Sequence, residues 1–348
     1  MINATRLRGS RTKKLVVAAL ATALTIGLAG PAAAETDEVR FAQQFGLLYL
    51  PMHVVVSQGM VQACAKEKGV GEVKVTMHRF SGGAAVNQAL LSANVDFAAG
   101  GIGPLLKIWD KTKGRLNVKA MTNLAAMPLK LNTNDPRVKK LEDYVGLDDH
   151  KIATPSVKVS IQAVILQMAA EQKWGKGNAF KLDDMTVSMK HPSAMAALLA
   201  GNQAVKSHFA TLPTSWHELH SGKVHNVLTS YDVLGGRHST VAMYTTEAWK
   251  NDNPMLYECV WTSFRKAIDW INEDKKRAAA LYHSFTKSKL DLADIEKMLT
   301  TAGEMDYTLQ PERTMQFAEF LHSIGSIENM PSSWKDYYWE NNYDQKGG

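Results

Sequence analysis

Two glycine-containing breaks, Ser81-Gly82-Gly83 and Gly100-Gly101-Ile102-Gly103-Pro104, each stand where an apolar run stops and a helical pattern begins. Residues 73–80 (VKVTMHRF) and 95–99 (VDFAA) read as strands. Residues 84–91 read as a helix with Val86, Ala89 and Leu90 on one face, and a further helix starts at 105–109. Two strand-to-helix turns in succession bring two helix N-termini to one edge of a parallel sheet. Free N–H groups and positive dipole ends there suit an anion or a polar head group. Glycine lets a ligand approach the backbone closely. The plainer alternative is that these glycines only turn the chain. Their spacing is neither GxxxxGK[ST] nor GxGxxG followed by an acid about 20 residues on, which argues against a nucleotide loop.

Other residue groupings carry possible chemistry. Gln43, Gln44, Phe45 and Tyr49 follow the first strand and read as a cleft wall with one or two polar contacts, or as ordinary loop packing. Ser81 and Ser156 lie at helix starts, where serine is a common N-cap that can also offer its hydroxyl to an anion. Arg79 and His191 are the positive candidates near strand ends. Alternation with Phe80 puts Arg79 on the opposite face of its strand. Pro192 suits the first turn of the helix that His191 precedes. His217-Glu218-Leu219-His220, with His225 nearby, invites a metal. HELH does not place two histidines at i and i+4, so these read as surface histidines and no metal site is expected. No G-x-S-x-G occurs, so a nucleophile elbow is not indicated.

The elements that must position these residues alternate. The first quarter after residue 34 reads β-α-β-α-β-α, with a strand at 38–44 and a helix at 52–66 crossed by Gly59. In a doubly wound sheet, ligands bind beyond the carboxyl ends of the strands. Here those ends are 43–45, 80–82 and 99–103. Residues 116–131 form an apolar connection broken at Pro128. A second series then opens: strand 151–155, a helix over 159–173, strand 185–189, a helix over 194–200, and strands at 204–212 and 224–230. Residues 240–245 read as a return crossing, and 254–323 as helical.

Residues 1–34 read as a secretory signal. Arg6, Arg8, Arg11, Lys13 and Lys14 precede an apolar run, and Pro31-Ala32-Ala33-Ala34 supplies small residues before Glu35. The chain carries 40 Lys and Arg against 34 Asp and Glu, and five of the basic residues belong to that signal. The remainder is nearly neutral, which gives no support for nucleic-acid binding. Its length suits two lobes rather than one. Cys64 and Cys259 read as two buried free thiols, with a disulfide left open by export.

Four stretches, AQQFGLLYLP, RFSGGAAVNQALLSANVDFAAGG, LEDYVGLDDHKIATPS and HPSAMAALLAGNQAVKSHFATLP, resemble periplasmic substrate-binding proteins of ABC importers. The subgroup is the nitrate, sulfonate and taurine type, which includes thiamine-pyrimidine binders. The resemblance covers nearly the whole chain after the signal. It implies an α/β type II periplasmic binding protein: two doubly wound lobes joined by a hinge. Lobe I would comprise 35–123 and 246–348, and lobe II 124–245, with hinge crossings near Asn123 and Tyr244. It implies ligand contacts at Gln44, Phe45, Ser81, Gly82, Gly101, Ile102, Ser156, Ser160, His191 and Thr211; Phe80 and Asn123 complete the candidate set. Taurine binders resemble FDSGAS at the Ser-Gly turn, where an acid can meet an ammonium, and this chain has Phe80 instead. A small organic anion, an aromatic or aliphatic carboxylate or sulfonate, is therefore the expected ligand. Lys206 adds a positive charge in the AHFA-like strand. The implied partner is a membrane ABC permease, the place the periplasm, the state a monomer, with no cofactor and no bond broken. Nitrate, taurine or thiamine-pyrimidine binding is the alternative. So is an enzyme on the same fold, a pyrimidine synthase, although that family's clustered cysteine motif is missing here.

Overall fold

The computed structural model describes residues 35–201 and 204–348, so the signal expected over 1–34 lies outside the described residues. The strands are β1 (Glu38–Gln43), β2 (Lys74–Arg79), β3 (Phe97–Gly101), β4 (Lys119–Ala126), β5 (Lys130–Thr133) and β6 (Lys151–Thr154). They continue with β7 (Thr186–Ser188), β8 (Val205–Ala210), β9 (His225–Thr229), β10 (Ser239–Thr245) and β11 (Asp306–Tyr307). One sheet has the order β11-β4-β10-β3-β1-β2, the other β7-β6-β8-β5-β9. In the first, β1 runs parallel to β2 and β3, and β10 is antiparallel to both β3 and β4. In the second, β6 is parallel to β7 and β8, and β5 is antiparallel to β8 and β9. This is a two-sheet α/β fold, as the alternating patterns require.

The apolar segment around Pro128 is not a plain connection. It forms β4 in one sheet and β5 in the other, with Pro128 between them. The return runs from β9 to β10. By sheet membership the chain changes sheets within 127–129 and again within 230–238, whereas the crossings read from sequence, Asn123 and Tyr244, lie inside β4 and β10 of the first sheet.

The helices that bear on the site are α1 (Leu50–Ser57), α2 (Met60–Glu67), α3 (Gly83–Leu91), α4 (Ile102–Thr112), α5 (Ile161–Trp174), α6 (His191–Leu199) and α7 (Thr214–His220). The helix expected across Gly59 is two helices. Gly59 sits at φ 59°, a left-handed conformation that stops α1 and starts α2.

β3 (FAAGG) is wholly buried and made of small residues beyond Phe97. The cause is close packing. A Cβ on Gly100 would lie 2.4 Å from the Tyr244 hydroxyl. That hydroxyl donates to Asn87 Oδ1 at 2.5 Å, and Asn87 Nδ2 donates to the Pro104 carbonyl at 2.9 Å. One buried phenol thus ties β10 to the starts of α3 and α4, where β2 and β3 end. On the other side Phe41 packs on Phe97 and Phe264, with ring centroids 5.7 and 5.6 Å apart. Truncating a ring buried in this way typically costs about 3–5 kcal/mol.

The cysteines are not free. Cys64 in α2 and Cys259 in the helix Pro254–Glu273 form a disulfide across a sequence separation of 195. The sequence could not supply this, because pairing depends on whether two distant helices meet. The C-terminal aromatics close the far edge of the first sheet: Tyr337, Tyr338 and Trp339 are buried, and the Trp339 amide donates to the Ala120 carbonyl of β4 at 2.8 Å.

Candidate functional site

Four helices begin at the carboxyl ends of parallel strands: α3 after β2, α4 after β3, α5 after β6 and α6 after β7. Their first turns meet in a small cavity between the two sheets. The first sheet's half contributes Gln44, Phe45, Tyr49 and Gly101 among its lining. The other half contributes Ser160, Ile161, Gln162, His191 and Thr211. The free space is about 20 Å³, room for about one water. No Lys, Arg, Asp or Glu lines it, and His191 is its one imidazole. The charge offered to a guest therefore comes from peptide N–H groups, hydroxyls and that ring.

The halves are packed against each other through glycine. A Cβ on Gly82 would lie 2.4 Å from the Pro155 carbonyl oxygen and 2.5 Å from Ser156 Oγ. On Gly101 it would lie 2.8 Å from Ile161, and on Gly103 2.9 Å from Val164. Gly46 has φ 120° and the same crowding against the Leu212 carbonyl, which accepts from the Leu47 amide at 3.1 Å. Ser156 Oγ also accepts from the Ala84 amide at 3.4 Å. These glycines do more than turn the chain: without a Cβ, two backbones can touch.

No family model matches the sequence, and no curated protein does. Solved structures do match. The aliphatic sulphonate binding protein SsuA of Escherichia coli superposes with a TM-score of 0.62 at 17% identity, over 90% of this chain and 95% of that one. The nitrate-binding protein NrtA of Synechocystis PCC 6803 gives 0.68 at 14% identity, over 89% and 88%. A Candida albicans gene product, described as having the generic periplasmic binding protein structural fold, gives 0.65 at 13% identity, over 90% and 99%. This chain has the periplasmic binding protein fold.

Within that fold the residues singled out from sequence separate into two groups. Gln44, Phe45, Gly101, Ser160, His191 and Thr211 line the cavity. Phe80, Ser81, Gly82, Ile102, Asn123 and Ser156 do not. Ser81 is exposed and Phe80 half-buried, its amide donating to the Gln43 carbonyl. Gly82 and Ser156 form the contact between halves. Ile102 is buried in the first turn of α4. Asn123 is buried in β4; its Nδ2 donates to the Thr308 carbonyl at 3.1 Å, and its Oδ1 has no partner among the described residues. Arg79 does not line the cavity either; its guanidinium lies over the Phe45 ring, 5.2 Å from the centroid. Lys206 does not line the cavity and pairs with Asp149.

Ser160 is the N-cap of α5: its Oγ accepts from the Ala163 amide at 3.2 Å. No local pattern marks Gln162, Thr240 or Val241 as lining residues. It also missed a polar chain behind His191. His191 Nδ1 lies 2.7 Å from His208 Nε2, and His208 Nδ1 lies 2.5 Å from Glu218 Oε1. Glu218 Oε2 accepts from Asn132 Nδ2 at 2.8 Å, and Gln162 Nε2 lies 3.3 Å from His191 Nε2. All of these side chains are buried. Burial first, and the neighbouring His208 second, hold His191 well below the ordinary imidazole range. In the HELH motif, His217 and His220 are exposed, but Glu218 points inward and is fully buried. The helical period explains it: Glu218 lies about 100° around α7 from His217.

A second constellation has the outline of a hydrolase triad. His150 Nε2 lies 2.8 Å from Ser207 Oγ, and His150 Nδ1 lies 3.3 Å from Asp135 Oδ2. Ser207 is fully buried in β8, and Tyr144 Oη holds its hydroxyl at 2.8 Å. A nucleophile sealed this way meets no substrate, so the arrangement is a buried polar network that fixes β8.

Proposed function

We propose that the protein is an exported solute-binding protein. It captures a small organic anion, a carboxylate or sulfonate, between its two lobes in the periplasm. As a monomer it delivers the anion to an ABC transporter permease. The observation that carries this reading is the convergence of four helix N-termini on a cavity lined by hydroxyls and one imidazole, with no carboxylate on its wall. Ser160, Thr211 and the amides opening α4 and α5 would hold the charged head. Phe45, stiffened by Arg79, would meet the body of the ligand. The two crossings between the sheets would act as the hinge.

Neighbouring structures support the chemistry. One is an alkanesulfonate-binding protein of Xanthomonas axonopodis bound to MOPS, and others are the aliphatic sulphonate and nitrate binders. The small free volume is that of a shut cleft. A ligand with an organic body enters only after the halves part, and its binding free energy then favours the closed arrangement. The same volume favours nitrate as a second reading, since a compact anion needs the least opening. Binding without bond breaking is supported by Ser207, the serine with triad-like partners among the described residues, being sealed in the core.

A thermal-shift screen with methanesulfonate, benzoate, nitrate and taurine tests this. Ligand at 100 times its Kd should add roughly 2.7 kcal/mol of stability. A response to methanesulfonate or benzoate supports the organic anion, and a response to nitrate alone supports the second reading. A response to taurine alone, or to none of the anions, would overturn the proposal.

A further inference from the structure

We infer that the cleft takes up its anion together with one proton, and that His208 and Glu218 are positioning residues that make His191 a hydrogen-bond donor only when that proton is present. The inference rests on the reading of the cavity as an anion site and says how the site is charged.

The argument is a count of protons along buried contacts. The short contact between His208 Nδ1 and Glu218 Oε1 must hold one proton, since two bare acceptors would repel. The contact between His191 Nδ1 and His208 Nε2 must hold a second for the same reason. With those two protons both rings are neutral, the unit carries one net negative charge, and His191 Nε2 is bare. That bare nitrogen is the one facing the amide of Gln162, whose Nε2 can donate to it.

This arrangement refuses an anion twice. It aims a lone pair at the guest, and it sets a buried negative charge three side chains deep behind the cavity wall. No lysine or arginine on the wall offsets that charge. A third proton changes both. Glu218 Oε2 already accepts from Asn132, so the proton enters at a ring, and it then leaves a hydrogen on His191 Nε2, either directly or by shifting the Nδ1 proton to His208. The unit becomes neutral, and the new N–H, no longer an acceptor for the Gln162 amide, is free to donate to the guest. The anion then meets a donor rather than a lone pair.

Other charged or titratable groups around His191 do not replace that proton. On β8 and α7 they are His208 and Glu218 themselves. On its own helix, Lys190 is exposed. From the first sheet's half, Tyr49 lines the cavity, and burial raises its phenol far above the physiological range, so it stays neutral. Arg79 lies over the outer ring Phe45.

Titration calorimetry with nitrate and with methanesulfonate, in buffers of different ionisation enthalpy, reads the proton directly. The expected result is uptake of about one proton per anion, and affinity falling about tenfold per pH unit above the unit's titration. Glu218→Gln keeps an oxygen on Asn132 Nδ2 and turns its NH2 toward His208 Nδ1, which sets a hydrogen on His191 Nε2 without an added proton, so the variant should bind either anion with no proton uptake. A merely structural Glu218 would weaken binding equally at every pH. His191→Gln donates without a proton and should bind with no uptake. Should Glu218→Gln not fold, imidazole nitrogen shifts in the unaltered protein decide. His191 should be protonated on Nδ1 alone when free, and on both nitrogens, or on Nε2 with His208 cationic, when saturated with either anion. Anion binding without proton uptake, or His191 already protonated on Nε2 in the free protein, would overturn the inference. Failure of both anions to bind overturns the anion reading beneath it and the inference with it.

Discussion

Gly82 faces Pro155 across the cleft so closely that a Cβ on it would come within 2.4 Å of the proline carbonyl oxygen. The contact joins the start of α3 to the turn before α5, and hence one half of the protein to the other. The clash is with backbone, which has little room to yield. Gly82→Ala should therefore prop the halves apart. Overpacking of this kind costs about 1–3 kcal/mol, and the cost falls on the closed state alone. Ligand affinity should drop about ten- to hundredfold, while the midpoint of unfolding of the ligand-free protein changes little. With ligand present, small-angle scattering should show a larger radius of gyration for the variant than for the parent. An unchanged affinity would mean that the closed arrangement is not the binding one.

Reduction of the Cys64–Cys259 disulfide has a separate consequence. The bond closes a loop of nearly two hundred residues and clamps α2 to the helix Pro254–Glu273. On the chain-entropy argument such a loop contributes about 5 kcal/mol, with shorter loops contributing less. Replacing both cysteines by alanine should lower stability by about that amount in denaturant titrations. Affinity should hold, since neither cysteine lines the cavity. Equal midpoints with and without reductant would show that the bond adds nothing.

The fold was legible in the sequence because its period signals are local. Runs such as residues 73–80 and 95–99, each followed by glycine and a helical pattern, place strand ends and helix starts without knowledge of distant contacts. The same logic pointed to Gln44, Gly101 and His191, whereas Ser160 came from the family resemblance. It could not reach Glu218 or His208, whose importance depends on β8 and α7 standing side by side. Nor could it reach the disulfide, which depends on two helices 195 residues apart meeting. Phe80 and Ser81 fell outside the cavity for a related reason. The sequence marks the turn, but the packing of Gly82 on Pro155 decides which of its residues face inward.

Ser160 links stability to binding in one hydroxyl. It caps α5 through the Ala163 amide and lines the cavity. Ser160→Ala should cost about 1 kcal/mol of stability. It should weaken anion binding further, by roughly ten- to a hundredfold, through loss of a hydrogen bond to a charged group. Ser160→Thr, which keeps the hydroxyl, should restore most of both. Chemical denaturation and ligand titration on the same three proteins separate the two effects. A variant that loses stability but no affinity would remove Ser160 from the ligand's contacts.

His53 should make the fold sensitive to mild acid. Its Nε2 lies 2.8 Å from Gln43 Oε1, and its Nδ1 is buried without a partner among the described residues. Burial first, and the nearby Arg79 charge second, lower its pKa from 6.5 to about 3. Between those values the unfolded chain binds a proton at this ring and the folded protein does not. Stability therefore falls as pH drops through that window and levels off above it. At pH near 5 the loss from His53 is about 2 kcal/mol. His238, lowered to about 4 chiefly by burial, acts with the same sign. Asp135 and Asp149 do not confuse the measurement. Hydrogen bonds from Arg137 to the first and from Lys206 to the second depress both carboxyls, so their contribution is lost only near and below the ordinary aspartate range. Denaturant unfolding at pH about 7.5 and about 5 should show the loss, and His53→Gln should reduce it. The same slope in parent and variant would mean that His53 is protonated within the fold.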